Sequence, residues 1–410
     1  MVLSDNANRT GTFGIFGELW ATDVKNDILC QFSYGISDYD LKPAVTANGG
    51  TVTDTSNLLT VSAGTASNGS AYVQSKDALR YRPGHTAFAQ FTTIFSNHLN
   101  DNSEAWIGIS DGIDGIELGF YNGQMAVRYI KDGTPTMVTQ DSFNGYYYGK
   151  NNLHQLDMSK IQVCRIMFAY LGGGPIAIEI IEKDSYIYRP LHTFYLHGSI
   201  NATHIDLPYL PIQASVSNSG NTSSITIQSG SWQGGVFGFC QTCGSRPFHK
   251  RTTGLNIGTT LTNLITFRSK ATFNGRLNKI RSVLQSLQYL PYAGTGLVTL
   301  VLTRPTSLNA VAPDTYLDSI SMTDVDTTNS TLEYTTNAVA VVEGQTALSL
   351  AIYVQDGQGN QPNNFSPNNL SQGDFDLYLD PGQVYTVAAI CDSATLPPDV
   401  FLSLNWAELF

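Results

Sequence analysis

The stretch Leu79–Phe95 reads LRYRPGHTAFAQFTTIF. Pro83-Gly84 is a turn dipeptide, because proline presets φ at about −65° and glycine accepts a positive φ. Beyond the turn, apolar and polar residues alternate, and Phe91 and Phe95 fall on one face. A period of two built from aromatic and β-branched residues is a strand half buried against a core. Before the turn, Arg80 and Arg82 share one strand face, with Tyr81 opposite. The two arginines are either a binding site or internal struts. Beside a sheet edge, a guanidinium's five donors serve loop carbonyls and nearby carboxylates. Arg80, Arg82, Pro83 and Gly84 are therefore read as structural, tying a loop to a β-sandwich.

The same alternation recurs outward from this stretch. ILCQFSY, LLTVSAG, AWIGISD, IELGFYN, QMAVRYI, QVCRIMFAYL, IAIEIIEK and SSITIQSGSW are short strand-like runs separated by NGG, DGIDG, NGQ and KDG turn signals. A second series follows from Leu264: LITFRSKATF, VLQSLQYL, GLVTLVLTRP, LEYTTNAVAVV, ALSLAIYVQD, FDLYLDPGQVYTVAAICD and VFLSLNWAELF. The expected fold is all-β, with two antiparallel, jelly-roll-like β-sandwich domains in tandem. The expected boundaries are a docking arm at 1–27, an N-terminal sandwich at 28–235, a Gly/Thr-rich linker at 236–262 and a C-terminal sandwich at 263–410. The arm carries Phe13, Phe16, Leu19 and Trp20, too many large apolar groups for a free tail. They are expected to be oligomer contacts, docking on the arm's own domain or on a neighbouring subunit.

Composition narrows the function. Over 410 residues only 13% are charged, against roughly 25% in average soluble proteins. Thr, Ser, Asn and Gly fill the deficit, with 21 Tyr and 19 Phe, as in uncharged extracellular and virion surfaces. A formal net charge of −11 argues against nucleic acid as a partner, since binding it needs a basic footprint. The basic run RPFHKR, Arg246–Arg251, is read as a solvated linker. No apolar run approaches the roughly 20 residues of a membrane helix, so no membrane insertion is expected. Met1 is followed by VLSDNANRTG without a secretory leader pattern, which predicts synthesis in a cytosol.

Each candidate chemical motif has a plainer reading. Cys240 and Cys243 have the Cys-x-x-Cys spacing of half a zinc site, with His249 nearby, but a second pair of ligands is missing and no metal is expected. Asp111 and Asp114 in SDGIDG sit on a glycine turn, where Asp is a default turn residue. With Glu117 they are the nearest candidates for a carboxylate pair that would cleave a glycoside. No nucleophile elbow, phosphate loop or dinucleotide fingerprint is present, so neither catalysis nor a cofactor is expected. Tyr146, Tyr147 and Tyr148 in NGYYYGKNN either stack on sugar rings or form a strand packed against a neighbour.

SAYVQSKDALRYRPGHTAFAQFTTIF followed by AWIGISDGIDGIELGFYNGQMAVRYIKDG resembles a domain of virion structural proteins in large DNA viruses and tailed phages. There an R-Y-x-P-G turn precedes an F-T-x-x-F strand and a glycine-rich hairpin. LITFRSKATFNGRLNK, SMTDVDTTNSTLEYTT and LSLNWAELF are similar to the domain that often accompanies it. The resemblance implies a component of a capsid surface or of a tail or fibre apparatus, made in the host cytoplasm and located in the virion. Its partners would be copies of itself, a homotrimer fitting the apolar arm, and other virion proteins. The alternative is a host-attachment protein binding a surface glycan through its aromatic loops.

Overall fold

A computed structural model describes residues 24–38, 40–145, 156–183, 187–237, 245–252, 254–292, 294–354, 378–392 and 395–409. The chain divides into two compact units, Met1–Gln241 and Thr242–Phe410. The fold is all-β and antiparallel, each unit a sandwich of two large sheets.

The strands of the first unit are β1 Val24–Gln31, β2 Val45–Ala47, β3 Thr51–Thr55, β4 Leu58–Ser62, β5 Ser70–Arg80, β6 Ala87–Ser96, β7 Ser103–Ser110, β8 Gly115–Tyr121, β9 Gln124–Lys131, β10 Thr134–Thr139, β11 Gln162–Phe168, β12 Ile176–Ile181, β13 Tyr188–Phe194, β14 Tyr209–Asn218, β15 Thr226–Ser229 and β16 Ser231–Phe237. A nine-stranded sheet runs β13-β12-β11-β6-β15-β4-β3, with β16 also on β6 and β1 on β16. A seven-stranded sheet runs β10-β9-β8-β7-β14-β5-β2. Late strands lie between early ones, β14 between β5 and β7 and β15 between β6 and β4, which is the interleaving of a jelly roll.

The core follows from the alternation. Phe91 pairs with Cys164 on one side and Trp232 on the other, and Cys164 with Ile180, so one row of the nine-stranded sheet is apolar. All four side chains are buried. Ile107, Ile109, Ile116, Leu118 and Val127 of the facing sheet join the same core. Burial holds the Cys30 thiol up at about 12 and pushes Cys164 up as well, as expected of packing cysteines. The turns obey local chemistry. Asn122-Gly123 joins β8 to β9 and Asp132-Gly133 joins β9 to β10, with φ values of 48° and 76°, and 47° and 72°. These are two-residue turns with both φ positive, matched to the strand twist.

The second unit contains β17 Ser245–Arg251, β18 Leu255–Asn256, β19 Thr262–Ser269, β20 Thr272–Phe273, β21 Arg276–Leu277, β22 Arg281–Tyr292, β23 Gly296–Arg304, β24 Ser307–Leu308, α1 Pro313–Ser319, β25 Thr323–Asp324, β26 Leu332–Thr335, β27 Val341–Val342, β28 Gln345–Val354, β29 Tyr378–Leu379, β30 Val384–Cys391 and β31 Asp399–Leu409. A five-stranded sheet runs β17-β31-β22-β29, with β18 also on β31, and a six-stranded sheet runs β25-β26-β19-β30-β23-β28. Between them lies a core that includes Leu264, Leu300, Val387, Leu404 and Trp406. The Asp-Pro-Gly turn, Gly382 at φ 78°, carries the chain from β29 in one sheet to β30 in the other. The short helix α1 starts on Pro313, whose fixed φ suits a first turn. Its Tyr316 and Leu317 pack with Leu308, Val341 and Ala388 in a separate cluster.

One expectation is corrected here. The basic run is solvated but is no linker: Arg246, His249 and Arg251 are exposed, yet Arg246–Arg251 belongs to β17, paired with β31 from Leu409 to Ser403. Phe248 stacks on Trp406 with centroids 6.3 Å apart, and the Lys250 ammonium sits 4.1 Å over the Tyr334 ring. β17 is an edge strand, where charged residues and a proline such as Pro247 are tolerated and discourage further pairing.

Candidate functional site

The seven-stranded sheet brings polar side chains together on its outer face. Its register places Gln74 of β5, Gln213 of β14, Gly108 of β7, Glu117 of β8 and Arg128 of β9 in one row. Their sequence neighbours Val73, Ile212, Ile107, Leu118 and Val127 point into the core, so these residues point away from it. A polar outer face is normally solvated. Here Glu117 is 0% exposed and Gln213 6%, so the row must satisfy its own hydrogen bonds.

It does so residue by residue. Arg128 donates from Nε to Oε2 of Glu117 at 2.8 Å, and its Nη2 lies 2.8 Å from the same oxygen. Gln213 donates to Oε1 of Glu117 at 3.4 Å, and Gln74 donates to the Gln213 carbonyl oxygen at 2.7 Å. Lys42 donates to Gln74 at 3.3 Å and ends the row at solvent. In the next row, Trp106 is 2% exposed yet lies outside the core cluster. The Arg128 guanidinium covers its ring at 3.9 Å, and its indole N–H donates to Glu104 at 2.9 Å. Glu104 is also 3.6 Å from Arg128. One guanidinium thus serves two carboxylates and an indole face.

The sequence candidates fall into different places. Glu117 is in this row. Asp114 is not: it is 3% exposed, and its carboxylate accepts from the backbone N–H groups of Asp132, Asp206 and Leu207 at 3.2, 3.3 and 3.1 Å. It ties the β9–β10 turn to the segment before β14. Asp111 accepts from the N–H groups of Ile113 and Asp114 at 2.9 and 2.8 Å, a side-chain-closed turn. β5 ends at Arg80, whose N–H donates to Asp27 at 3.1 Å. The Arg82 carbonyl accepts from the His85 N–H at 3.0 Å across Pro83-Gly84, with Gly84 at φ 85°. Between the arginines, buried Tyr81 accepts from the Leu171 N–H at 3.1 Å and meets Tyr170 edge-on. His249 is exposed on β17. Phe13, Phe16, Leu19, Trp20, Tyr146, Tyr147, Tyr148, Cys240 and Cys243 lie outside the described residues.

The chain entering the tyrosine run is described. Asn144 and Thr193 exchange two hydrogen bonds of 2.8 Å, and the Gly145 N–H donates to the Leu191 carbonyl at 3.0 Å. A Cβ on Gly145 would lie 1.9 Å from the Pro190 carbonyl oxygen, so only glycine allows this approach to β13.

Sequence reasoning missed Glu104, Trp106, Arg128, Gln74 and Gln213. A signal for one contact was present. A two-residue turn at Asn122-Gly123 fixes the β8–β9 register and sets Glu117 opposite Arg128. The contacts across β5, β14 and β7 join segments more than ninety residues apart, as with Gln213 and Glu117, and no local pattern encodes them.

No protein-family model matches this sequence, and no curated protein matches it. Among solved structures, the chain is similar to arcelin-5, a lectin-like defense protein from Phaseolus vulgaris, at 10% identity and TM-score 0.34, over 50% of this chain and 96% of that one. It is similar to a beta-1,3-glucanase from Mycobacterium marinum at 11% identity and TM-score 0.36, over 51% and 98%. A legume lectin-like domain from Entamoeba histolytica aligns at 13% identity and TM-score 0.29, over 50% and 95%. These are likenesses of fold over about half the chain.

Proposed function

We propose that this chain is a non-catalytic structural protein of a virus particle, on the capsid surface or in the tail or fibre apparatus, acting by assembly and surface recognition. The observation that supports the non-catalytic reading is the state of two candidate carboxylates, Glu117 and Asp114. Cleaving a glycoside takes one carboxyl free to give up a proton and a second free to act as base or nucleophile. Both oxygens of Glu117 are engaged by Arg128 and Gln213, and Asp114 is committed to three backbone amides. These groups hold the sheet and its loops in place. Support for a virion comes from the sequence resemblance, whose first two segments fold as β5–turn–β6 and as the consecutive strands β7, β8 and β9. Gold-labelled antibody against this chain, applied to purified particles from producing cells, should decorate particles at regular positions. Label confined to the soluble fraction would overturn the proposal. Release of sugars from polysaccharide by the purified chain would overturn its non-catalytic half.

A second reading is glycan attachment through Tyr146, Tyr147 and Tyr148, which follow in sequence on Asn144 and Gly145, both hydrogen-bonded to β13. A glycan array with the protein and its Tyr147→Ala variant decides it. Binding that the variant loses supports attachment, and no binding to any glycan removes this reading.

A further inference from the structure

Between Asp206 and Asp314 the sequence carries no Asp or Glu, yet it holds nine of the chain's 22 Lys and Arg residues. This span supplies β17, β18 and β22 of the five-stranded sheet in the second unit. On β31, the strand that all three pair with, Leu402, Leu404 and Trp406 point into the core, so Phe401, Ser403 and Asn405 point out. The register sets His249 and Ser286 beside Asn405, and Arg251 and Gln288 beside Ser403. His249, Arg251, Gln288 and Phe401 are exposed. The Arg251 guanidinium has no acidic partner among the described residues. Of the carboxylates on these strands, Glu408 is buried and faces inward, and Asp399, at the far end, accepts from Asn256 at 3.3 Å. At the opposite end Arg281 is paired with Asp380. The middle of the face is left with an exposed guanidinium and imidazole among amides and hydroxyls.

Phe401 is out of place on such a face, at 41% exposed. A Cβ at Gly254 would lie 2.7 Å from its Cζ and 3.1 Å from both Cε atoms, so Gly254 sits over the ring face and not beyond its edge. Covering a strand glycine accounts for one side of the ring. The other side is a flat apolar platform, two residues and so about 7 Å along β31 from Ser403.

These chemistries fit together on one kind of ligand, a sugar bearing a carboxylate. The C–H face of a pyranose ring packs on an aromatic ring such as Phe401. Its hydroxyls exchange hydrogen bonds with Ser403, Gln288 and the side-chain carbonyl of Asn405, whose amide N–H already donates to Ser286 at 2.7 Å. A carboxylate takes two parallel bonds from the Arg251 fork. Nucleic acid is a poor match, because neutralising successive phosphates takes a run of cations. One guanidinium over a sugar-sized span suits one negative charge per ring.

We propose that this outer sheet face, centred on Phe401 and Arg251, binds an acidic polysaccharide of the uronic acid type. The site is separate from Tyr146, Tyr147 and Tyr148 and does not depend on them.

The test is calorimetric titration of the full chain with oligogalacturonate. Its methyl ester keeps the rings and loses the charge, and polyglutamate keeps the charge and has no rings. Oligogalacturonate should bind, and each of the other two should bind at least about tenfold more weakly. Arg251→Gln and Phe401→Leu should each weaken oligogalacturonate binding at least about fivefold while folding as the parent does by circular dichroism. Arg276→Gln, which removes a cation of the same span on the separate β20–β21 hairpin, and Tyr147→Ala should bind as the parent does. No binding of oligogalacturonate, equal binding of the ester or of polyglutamate, or undiminished binding by Arg251→Gln or Phe401→Leu overturns the proposal. Loss of binding in Arg276→Gln or Tyr147→Ala places the site elsewhere and overturns it as well.

Discussion

Gln213 and Glu117 sit on strands that are not neighbours, yet the amide of one donates to the carboxylate of the other at 3.4 Å. Between them runs β7, and the residue in the row is Gly108, which has no side chain to block the path. A Cβ there would lie 2.2 Å from the Ile116 carbonyl oxygen and 2.8 Å from the Glu117 Cα, both backbone. The glycine therefore gives close strand approach and an open lane for the amide.

Gly108→Ala should destabilise the first unit by about 1–3 kcal/mol, because backbone must move to admit the methyl. Thermal melting measures it. A variant that melts like the parent would mean the lane is not tight.

The Glu117–Arg128 pair should behave as structure. Glu117→Gln leaves a largely buried guanidinium with only Glu104 at 3.6 Å, and should cost about 1–3 kcal/mol. Arg128→Met should cost a similar amount. The double variant should show a coupling of about 0.5–3 kcal/mol, since the two act as one unit. A Glu117→Gln protein more stable than its parent would be the mark of a strained functional carboxylate instead.

Acid should weaken the first unit through two histidines. Burial pushes His192 and His204 from the ordinary 6.5 down to about 4. His192 accepts from the Asn144 N–H, and Lys131 adds to the depression at His204. The unfolded chain takes up these protons near 6.5 and the folded one only near 4. Between those values the unfolded state binds more protons, so stability is complete above about pH 6.5 and falls as pH drops toward 4. Melting temperature between pH 7 and 5, above the main carboxylate range, should decline in the parent and decline less in His204→Phe. A flat profile in the parent contradicts the buried neutral state.

At the Arg-Tyr-Arg-Pro-Gly turn, Arg82→Ala should lower stability by about 1–3 kcal/mol if its donors serve the fold. Any surface binding should then fall only as far as folding does. Gly84→Ala, at φ 85°, should cost about 1 kcal/mol. Unchanged melting with lost binding in Arg82→Ala would make it a ligand residue.

Deleting residues 1–22 should leave both units folded and weaken self-association, given the apolar content of Phe13, Phe16, Leu19 and Trp20. At about 1.5–3 kcal/mol per buried side chain, four such groups would offset the ordering of a short arm only in full contact. Sedimentation velocity checks it, and an unchanged oligomeric state would remove the assembly role proposed for the arm.

The sequence by itself determined what is local. Period-two alternation and Gly, Pro, Asn and Asp punctuation made the chain all-β, and Asn122-Gly123 and Asp132-Gly133 set their hairpin registers. What it did not determine was anything between distant segments. The basic run at Arg246–Arg251 reads as a solvated linker because charge is its only local feature. Pairing with β31, more than 150 residues later, makes it an edge strand. α1 is too short to carry a periodic signal and is held by Leu308, Val341 and Ala388 instead. Glu117 was legible as a carboxylate and Tyr81 as a residue opposite two arginines. Only the stacking of β5, β14, β7, β8 and β9 decided that Glu117 would be sealed under Arg128 and reached by Gln213, because strand order fixes which polar side chains are buried together and must satisfy one another.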